Sequence, residues 1–193
     1  MKILNKQQES LLQRERNFLN DLLLKFVEIN TAKEDLDSLK QSIRQLDDLF
    51  LLVIVGEFNS GKSAFINALL GKPLLKEGVT PTTTQINILR YGEKNEQHLL
   101  EKDQMVMFFP VDILSEISIV DTPGTNAIIR QHEEITTHFI PRADLILFVT
   151  SVDRPFTESE RSFMQSIRDW GKKVIIILNK IDILTSGEEL EQI

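Results

Sequence analysis

The run Gly56-Glu57-Phe58-Asn59-Ser60-Gly61-Lys62-Ser63 constrains this chain more than any other, because an apolar stretch, 51–55, precedes it and a helix-like stretch, 64–70, follows it. Strand, glycine-bounded loop and helix together form the setting in which backbone N–H groups turn inward on an anion. The helix N-terminus adds partial positive charge, Lys62 has the reach for β and γ phosphates, and the Ser63 hydroxyl is an oxygen donor suited to Mg²⁺. A nucleoside triphosphate is the ligand the pattern points to. Taken alone the same string also fits an ordinary βα turn, so two later strings carry much of the weight.

The first, Asp121-Thr122-Pro123-Gly124, follows the apolar run Ile117-Ser118-Ile119-Val120 and sets a carboxylate at a strand's C-terminal end. In a parallel sheet that end is the ligand side. Asp121 is expected to hold Mg²⁺ through its hydration shell, and the Gly124 N–H to sense the γ-phosphate. The second, Asn179-Lys180-Ile181-Asp182, follows Val174-Ile175-Ile176-Ile177-Leu178, which reads as a buried strand. A carboxylate at Asp182 can accept hydrogen bonds from N1–H and the 2-amino group of guanine, and adenine has neither donor on that edge. The expected ligand is therefore GTP or GDP. Lys180 is expected to lay its stem along the base, and Asn179 to tie the base-reading loop to the phosphate loop.

Between these motifs lies Gly78-Val79-Thr80-Pro81-Thr82-Thr83-Thr84. A hydroxyl from this loop is expected to complete the Mg²⁺ shell, with Thr83 the candidate and Thr82 and Thr80 behind it. The same threonines also suit the lead-in to a strand.

With 193 residues the chain has room for one sizeable core plus an appendage, and it contains no cysteine, which excludes disulfides and thiolate metal sites. Apolar runs are about strand length, short of the ~20 residues that span a bilayer, and there is no signal-like start, so a soluble cytoplasmic domain is expected. A net charge of −7, with basic residues scattered among acids, argues against a nucleic-acid surface. His132 and His138 stand without a carboxylate or cysteine cluster, and His98 sits among acids; none reads as a metal ligand.

Residues 1–48 read as two helices. The first, about 2–29, carries Leu4, Leu11, Phe18, Leu22, Phe26 and Ile29 on a stripe; the second, about 31–48, carries Leu36, Leu39, Ile43, Leu46 and Phe50, with Thr31 and Glu34 as a capping box. From 49 onward apolar five-residue runs alternate with helical stretches, which predicts an α/β, doubly wound domain with a mostly parallel sheet. Ile86–Arg90 and Met105–Phe109 are expected as edge strands, 145–149 as a core strand, and Thr157 with Glu160 as the cap of a helix ending before Gly171.

The residues of these motifs resemble the dynamin superfamily of P-loop GTPases, specifically its bacterial and plastid fuzzy-onions-like type. The likeness runs through 56–63, 78–84, Leu89-Arg90-Tyr91-Gly92, Asp121-Thr122-Pro123-Gly124-Thr125-Asn126, 143–149, Asp153-Arg154-Pro155 and Phe156-Thr157-Glu158-Ser159-Glu160. It implies a phosphate loop at 56–63, switch I at Thr83, switch II at Asp121 and Gly124, and a guanine reader at Asn179, Lys180 and Asp182. It further implies self-association across the nucleotide face and, for a longer parent protein, peripheral membrane association and remodelling through helical regions beyond this chain. A complete domain of that family continues past the position of Ile193, so the expectation is an N-terminal portion whose last sheet edge is open.

Thr125 stands where many small GTPases place a water-orienting glutamine. Asn59 occupies the phosphate-loop position at which cation-dependent GTPases carry asparagine, making K⁺ a candidate activator and Lys62, Ser63, Thr83 and Asn59 the candidate catalytic set. Two other readings stay open: an Era-like GTPase of ribosome assembly or RNA modification, for which no basic extension is visible, and a non-hydrolysing fragment acting as an interaction module.

Overall fold

The chain divides into two compact units, Met1–Leu49 and Phe50–Ile193, and the computed structural model describes residues 5–47, 50–77, 85–101, 104–124 and 135–184 of them. In the first unit α1 (Lys6–Glu28) and α2 (Lys33–Asp47) form a helical pair. Asn5 opens α1 with a capping box, its side chain accepting from the Gln8 N–H and the Gln8 side chain accepting from the Asn5 N–H. Asn30 reverses the chain at φ 53°. The capping box expected at Thr31 does not form: the Thr31 hydroxyl is buried without a hydrogen-bond partner, and the Ala32 carbonyl opens α2 instead. The α2 stripe of Leu36, Leu39, Ile43 and Leu46 is at least half-buried, as read from its spacing. The α1 stripe matches expectation only in part: Leu22 and Phe26 are half-buried, together with Leu12, Leu19 and Leu23, whereas Leu11, Phe18 and Ile29 are 54%, 66% and 71% exposed, and Leu4 lies outside the described residues. Steps of four and three from Leu12 give a seam that keeps facing one partner, and a start one residue earlier turns the stripe by about 100°. Phe50 does not belong to the α2 stripe; it packs against the sheet core of the second unit.

In that unit β1 (Leu51–Val55) is buried at every residue, as an apolar run needs to be when both faces of a parallel sheet are covered. It lies between β5 (Ser118–Asp121) and β6 (Leu145–Ser151), parallel to both, and β7 (Val174–Asn179) continues parallel beyond β6. Alternation divides the core. Leu51, Val53 and Val55 join Phe148, Phe163 and Ile167 on one side of the sheet, while Leu52 and Ile54 join Ile66, Leu70 and Val149 on the other. Helix α3 (Lys62–Leu70) and helix α4 (Glu158–Asp169) therefore cover opposite faces. Each fully buried Ile or Phe on these faces contributes about 1.5–3 kcal/mol.

Beyond β5 the order departs from expectation. The sheet runs β3-β4-β2-β5-β1-β6-β7, so β2 (Ile86–Tyr91) and β4 (Gln104–Phe109) are interior strands rather than edges. Strand β2 is antiparallel to β5, and a further strand, β3 (Glu96–Glu101), forms the edge by pairing with β4. Charged and exposed, β3 suits an edge. Strand β7, read as buried, has Val174, Ile175 and Ile176 at 37%, 51% and 46% exposure, because among the described residues β6 is its one neighbour.

Candidate functional site

Parallel register brings the motif residues to one sheet edge. Ile54 pairs with Asp121, Val55 with Phe148, and Ser151 with Asn179, so the chain leaves β1, β5 and β7 on the same side. The loop after β1 enters α3 through Gly61, whose φ of 90° is left-handed and whose N-cap position makes no side-chain hydrogen bond. The first-turn N–H groups of α3 thus have no cap and face the loop, which is what an anion requires. The Ser60 hydroxyl is also buried without a partner.

Lys62 is 7% exposed. Its ammonium donates to the carbonyls of Gly56 at 3.0 Å and Glu57 at 2.8 Å. Burial lowers its pKa from the ordinary lysine value of 10.5 to about 8, against the opposing pull of the Asp121, Glu160 and Glu57 charges. One residue on, the Ser63 hydroxyl donates to Asp121 Oδ2 at 3.2 Å, and Asp121 is fully buried. A hydroxyl and a carboxylate oxygen in contact beside uncapped helix N–H groups fit Mg²⁺ with a phosphate. The Thr122 hydroxyl donates to the Ile54 carbonyl at 2.9 Å and fastens the end of β5 to β1.

The three loops interlock through contacts that spacing cannot display. The Asn179 amide donates to the Ser60 carbonyl at 2.9 Å, and a Cβ on Gly61 would stand 2.2 Å from that same amide nitrogen. Gly124 approaches the phosphate loop so closely that a Cβ there would lie 2.4 Å from the Phe58 backbone N and Cα. Gly61→Ala is therefore expected to cost about 2–3 kcal/mol, from the backbone strain plus the collision with Asn179. Trimming Asn179→Ala in that background should recover the collision share in urea unfolding; a purely additive double variant would refute the contact. Lys180 sits in a left-handed conformation at φ 59° and leads into the 3₁₀ turn Ile181–Ile183, where Asp182 is exposed.

A cavity of ≈ 340 Å³ adjoins the phosphate loop, lined among others by Glu57, Asn59, Ser60, Asp153, Arg154 and Lys180. Asn59 holds φ 62° and its side chain is exposed there. The Ser151 hydroxyl donates to the Asp153 carboxylate and holds its pKa below the ordinary range. Thr83 with the rest of 78–84, and Thr125, Asn126 and His132, lie outside the described residues. Among the described residues no group of three or more His, Cys, Asp or Glu could hold a metal ion.

Sequence reasoning missed two sets of side chains. Buried Asn67 on α3 accepts from the N–H groups of Leu74 and Leu75 and donates to the Leu75 carbonyl and Glu77 carboxylate, fixing the chain up to residue 77. Glu57, expected only as a member of the phosphate loop, also sends its carboxylate to Thr157 and Ser159 at the start of α4. The capping-box spacing of Thr157 and Glu160 located the helix start, which the structure reproduces, but nothing local signals a partner 100 residues away.

The family model described as 50S ribosome-binding GTPase matches residues 51–180. "Probable transmembrane GTPase FZO-like, chloroplastic" from Arabidopsis thaliana is 44% identical over 194 residues, 98% of this chain and 21% of that protein. "Dynamin-like protein 2" from Campylobacter jejuni is 26% identical, over 81% of this chain and 30% of its own length. A solved structure of an oligomerised bacterial dynamin pair superposes with a TM-score of 0.66 at 22% identity, covering 100% of this chain and 36% of that one, which speaks for the fold alone. GTPase Era from Thermotoga maritima matches over a shorter stretch of 144 residues. The chain thus spans about a fifth and under a third of the FZO-like and Campylobacter proteins. With its phosphate loop, buried Asp121 and Asn179 gathered on one edge of a mostly parallel sheet, the chain belongs to this GTPase family, and its relatives within it are dynamin-like and FZO-like.

Proposed function

We propose that this chain binds guanine nucleotide with Mg²⁺ and hydrolyses GTP, as the GTPase portion of a dynamin-like protein. The observation that supports it best is the mutual locking of the three loops: Asn179 on Ser60, Gly124 against Phe58, and Ser63 on Asp121. A site assembled from three strand ends positions its groups before the ligand arrives. In this reading the 56–61 backbone and the N-terminus of α3 hold the phosphates, and Lys62 places its charge on the β and γ groups. Ser63 and Asp121, with Thr83 from outside the described residues, would hold Mg²⁺. Bound there, Mg²⁺ would supply neutralisation of the phosphate charge. Gly124 reads the γ-phosphate through its N–H. Asn179 keeps the base loop on the phosphate loop, Lys180 lies along the base, and Asp182 accepts from guanine.

Asn59, exposed at the rim of the polar cavity, is the candidate K⁺ ligand, and a second copy across the nucleotide face would enclose that cation. GTP turnover is expected to run several-fold faster in K⁺ than in Na⁺ buffer at equal ionic strength, and Asn59→Ala to remove the difference. Equal turnover in the two salts would end the cation role. For the longer protein, the dynamin pair's description as sensing and tethering membranes suggests peripheral membrane work through its other regions. Among the described residues no helix is long and apolar enough to cross a membrane. Calorimetry with GTP, GDP and ATP tests the reading directly: binding of both guanine nucleotides and not of ATP is expected, and indifference to the base overturns it.

A further inference from the structure

Within the phosphate loop, Glu57 does two things with two ends of one residue. Its carbonyl accepts from the Lys62 ammonium at 2.8 Å and from the Ser60 N–H at 3.2 Å. Its carboxylate leaves the loop altogether: Oε1 accepts from the Thr157 hydroxyl at 2.5 Å and from the Ser159 hydroxyl. Thr157 is the N-cap of α4, and the same hydroxyl oxygen accepts from the Glu160 N–H at 3.3 Å. Glu160, 1% exposed, closes the box on the Thr157 N–H and accepts from the Thr150 hydroxyl at the end of β6. Helix capping accounts for Thr157 and Glu160. It does not account for Ser159, which has no capping role, or for two hydroxyls converging on a carboxylate 100 residues earlier.

The segment spanned by this linkage is the turn 151–156. It is pinned by the Arg161 guanidinium on the Phe156 carbonyl and by the Arg154 N–H on the Ser151 carbonyl. Phe156 holds φ 54°, a conformation that a bulky side chain keeps only when its surroundings impose it. The turn carries Asp153 and Arg154 into the polar cavity beside the phosphate loop. Strands β1 and β6, paired at Val55 and Phe148, bring the turn beside the loop, and among the hydrogen bonds named here the Glu57 carboxylate is the one that ties the loop to the residues directly after the turn.

We propose that Glu57 is a positioning residue whose carboxylate docks the phosphate loop on the first turn of α4, so that nucleotide in the loop and order in the 151–156 turn are coupled. This rests on the nucleotide reading above and adds to it the element that responds. Coupling of this kind is reciprocal: whatever loosens the turn weakens nucleotide binding by the same factor.

The test uses the whole chain with GDP and Mg²⁺, reading affinity by calorimetry and backbone amide exchange over 151–160 with and without nucleotide. In the wild type, nucleotide is expected to slow exchange across that segment. Glu57→Ala and Ser159→Ala are each expected to weaken GDP by about five- to tenfold and to lose the slowing, and the double variant to be no weaker than Glu57→Ala alone. Thr157→Ser, which keeps the hydroxyl, should behave as wild type. A merely structural contact would lower the melting temperature and leave affinity and the exchange response in place. Wild-type GDP affinity with retained slowing in Glu57→Ala overturns the docking role, as do additive losses in the double variant. A wild type that binds no guanine nucleotide overturns the nucleotide reading itself, and that result is distinct because it precedes any substitution.

Discussion

Replacing Lys62 by Met is expected to weaken guanine-nucleotide binding by about 10²–10³-fold, since hydrogen bonds between an ammonium and phosphate oxygens contribute about 1.5–3 kcal/mol each. A companion effect separates this lysine from an ordinary surface cation. Its pKa is lowered to about 8 by burial, whereas in the unfolded chain it stays near 10.5. Between those two values the unfolded state holds more protons than the folded one, so the contribution of Lys62 to stability rises with pH across that window. Below about pH 8 the penalty for the buried charge is fully present, on the order of 3 kcal/mol. The nucleotide-free protein should therefore gain stability between pH 8 and 10 relative to Lys62→Met, as followed by paired thermal melts. Phosphate beside the ammonium raises its pKa again, so nucleotide binding near pH 8.5 should take up protons, and affinity should fall as pH rises further. A calorimetric enthalpy independent of buffer ionisation heat at that pH would contradict the placement of Lys62.

Asp182→Asn is expected to shift base preference by about two orders of magnitude. A carboxylate accepts from both the N1–H and the 2-amino group of guanine, and an amide in its place presents a donor to one of them. A buried donor left facing a donor loses the full hydrogen bond, which is why sites built on such pairs discriminate strongly. The substituted site should favour xanthine nucleotides, whose 2-position bears a carbonyl, over guanine nucleotides. Asp182 is exposed in the middle of its 3₁₀ turn, so the change should leave the folding stability within about 0.5 kcal/mol of wild type. Competition of XDP and GDP for the same chain measures the ratio, and an unchanged ratio would remove Asp182 from the base site.

How much of this was legible in the residue string depends on whether the cause is local. The apolar run 51–55, the glycine-bounded loop and the helical stretch after it specify β1, the phosphate loop and α3, because chain direction, glycine torsions and helix periodicity act over a few residues. Thr157 and Glu160 mark the start of α4 for the same reason. Of the stripe expected on α1, Leu22 and Phe26 are half-buried but Leu11, Phe18 and Ile29 are exposed, since which of two overlapping apolar stripes is buried depends on the partner α2 presents. Strand β3, polar and charged over most of its length, had no apolar run to announce it, and β2 looked like an edge because alternation says nothing about what lies on either side.

The motifs alone thus point to a nucleotide loop and place a carboxylate at one strand end and the proposed base-reading string at another, since each depends on residue type and short-range geometry. Tertiary structure decided the rest: that β2 runs antiparallel inside the sheet, that Gly61 and Gly124 are required by Asn179 and Phe58, and that Glu57 reaches α4. Those outcomes are set by atoms meeting across the sheet from positions tens of residues apart, and contact at that range is created by the folded packing rather than by any local preference of the chain.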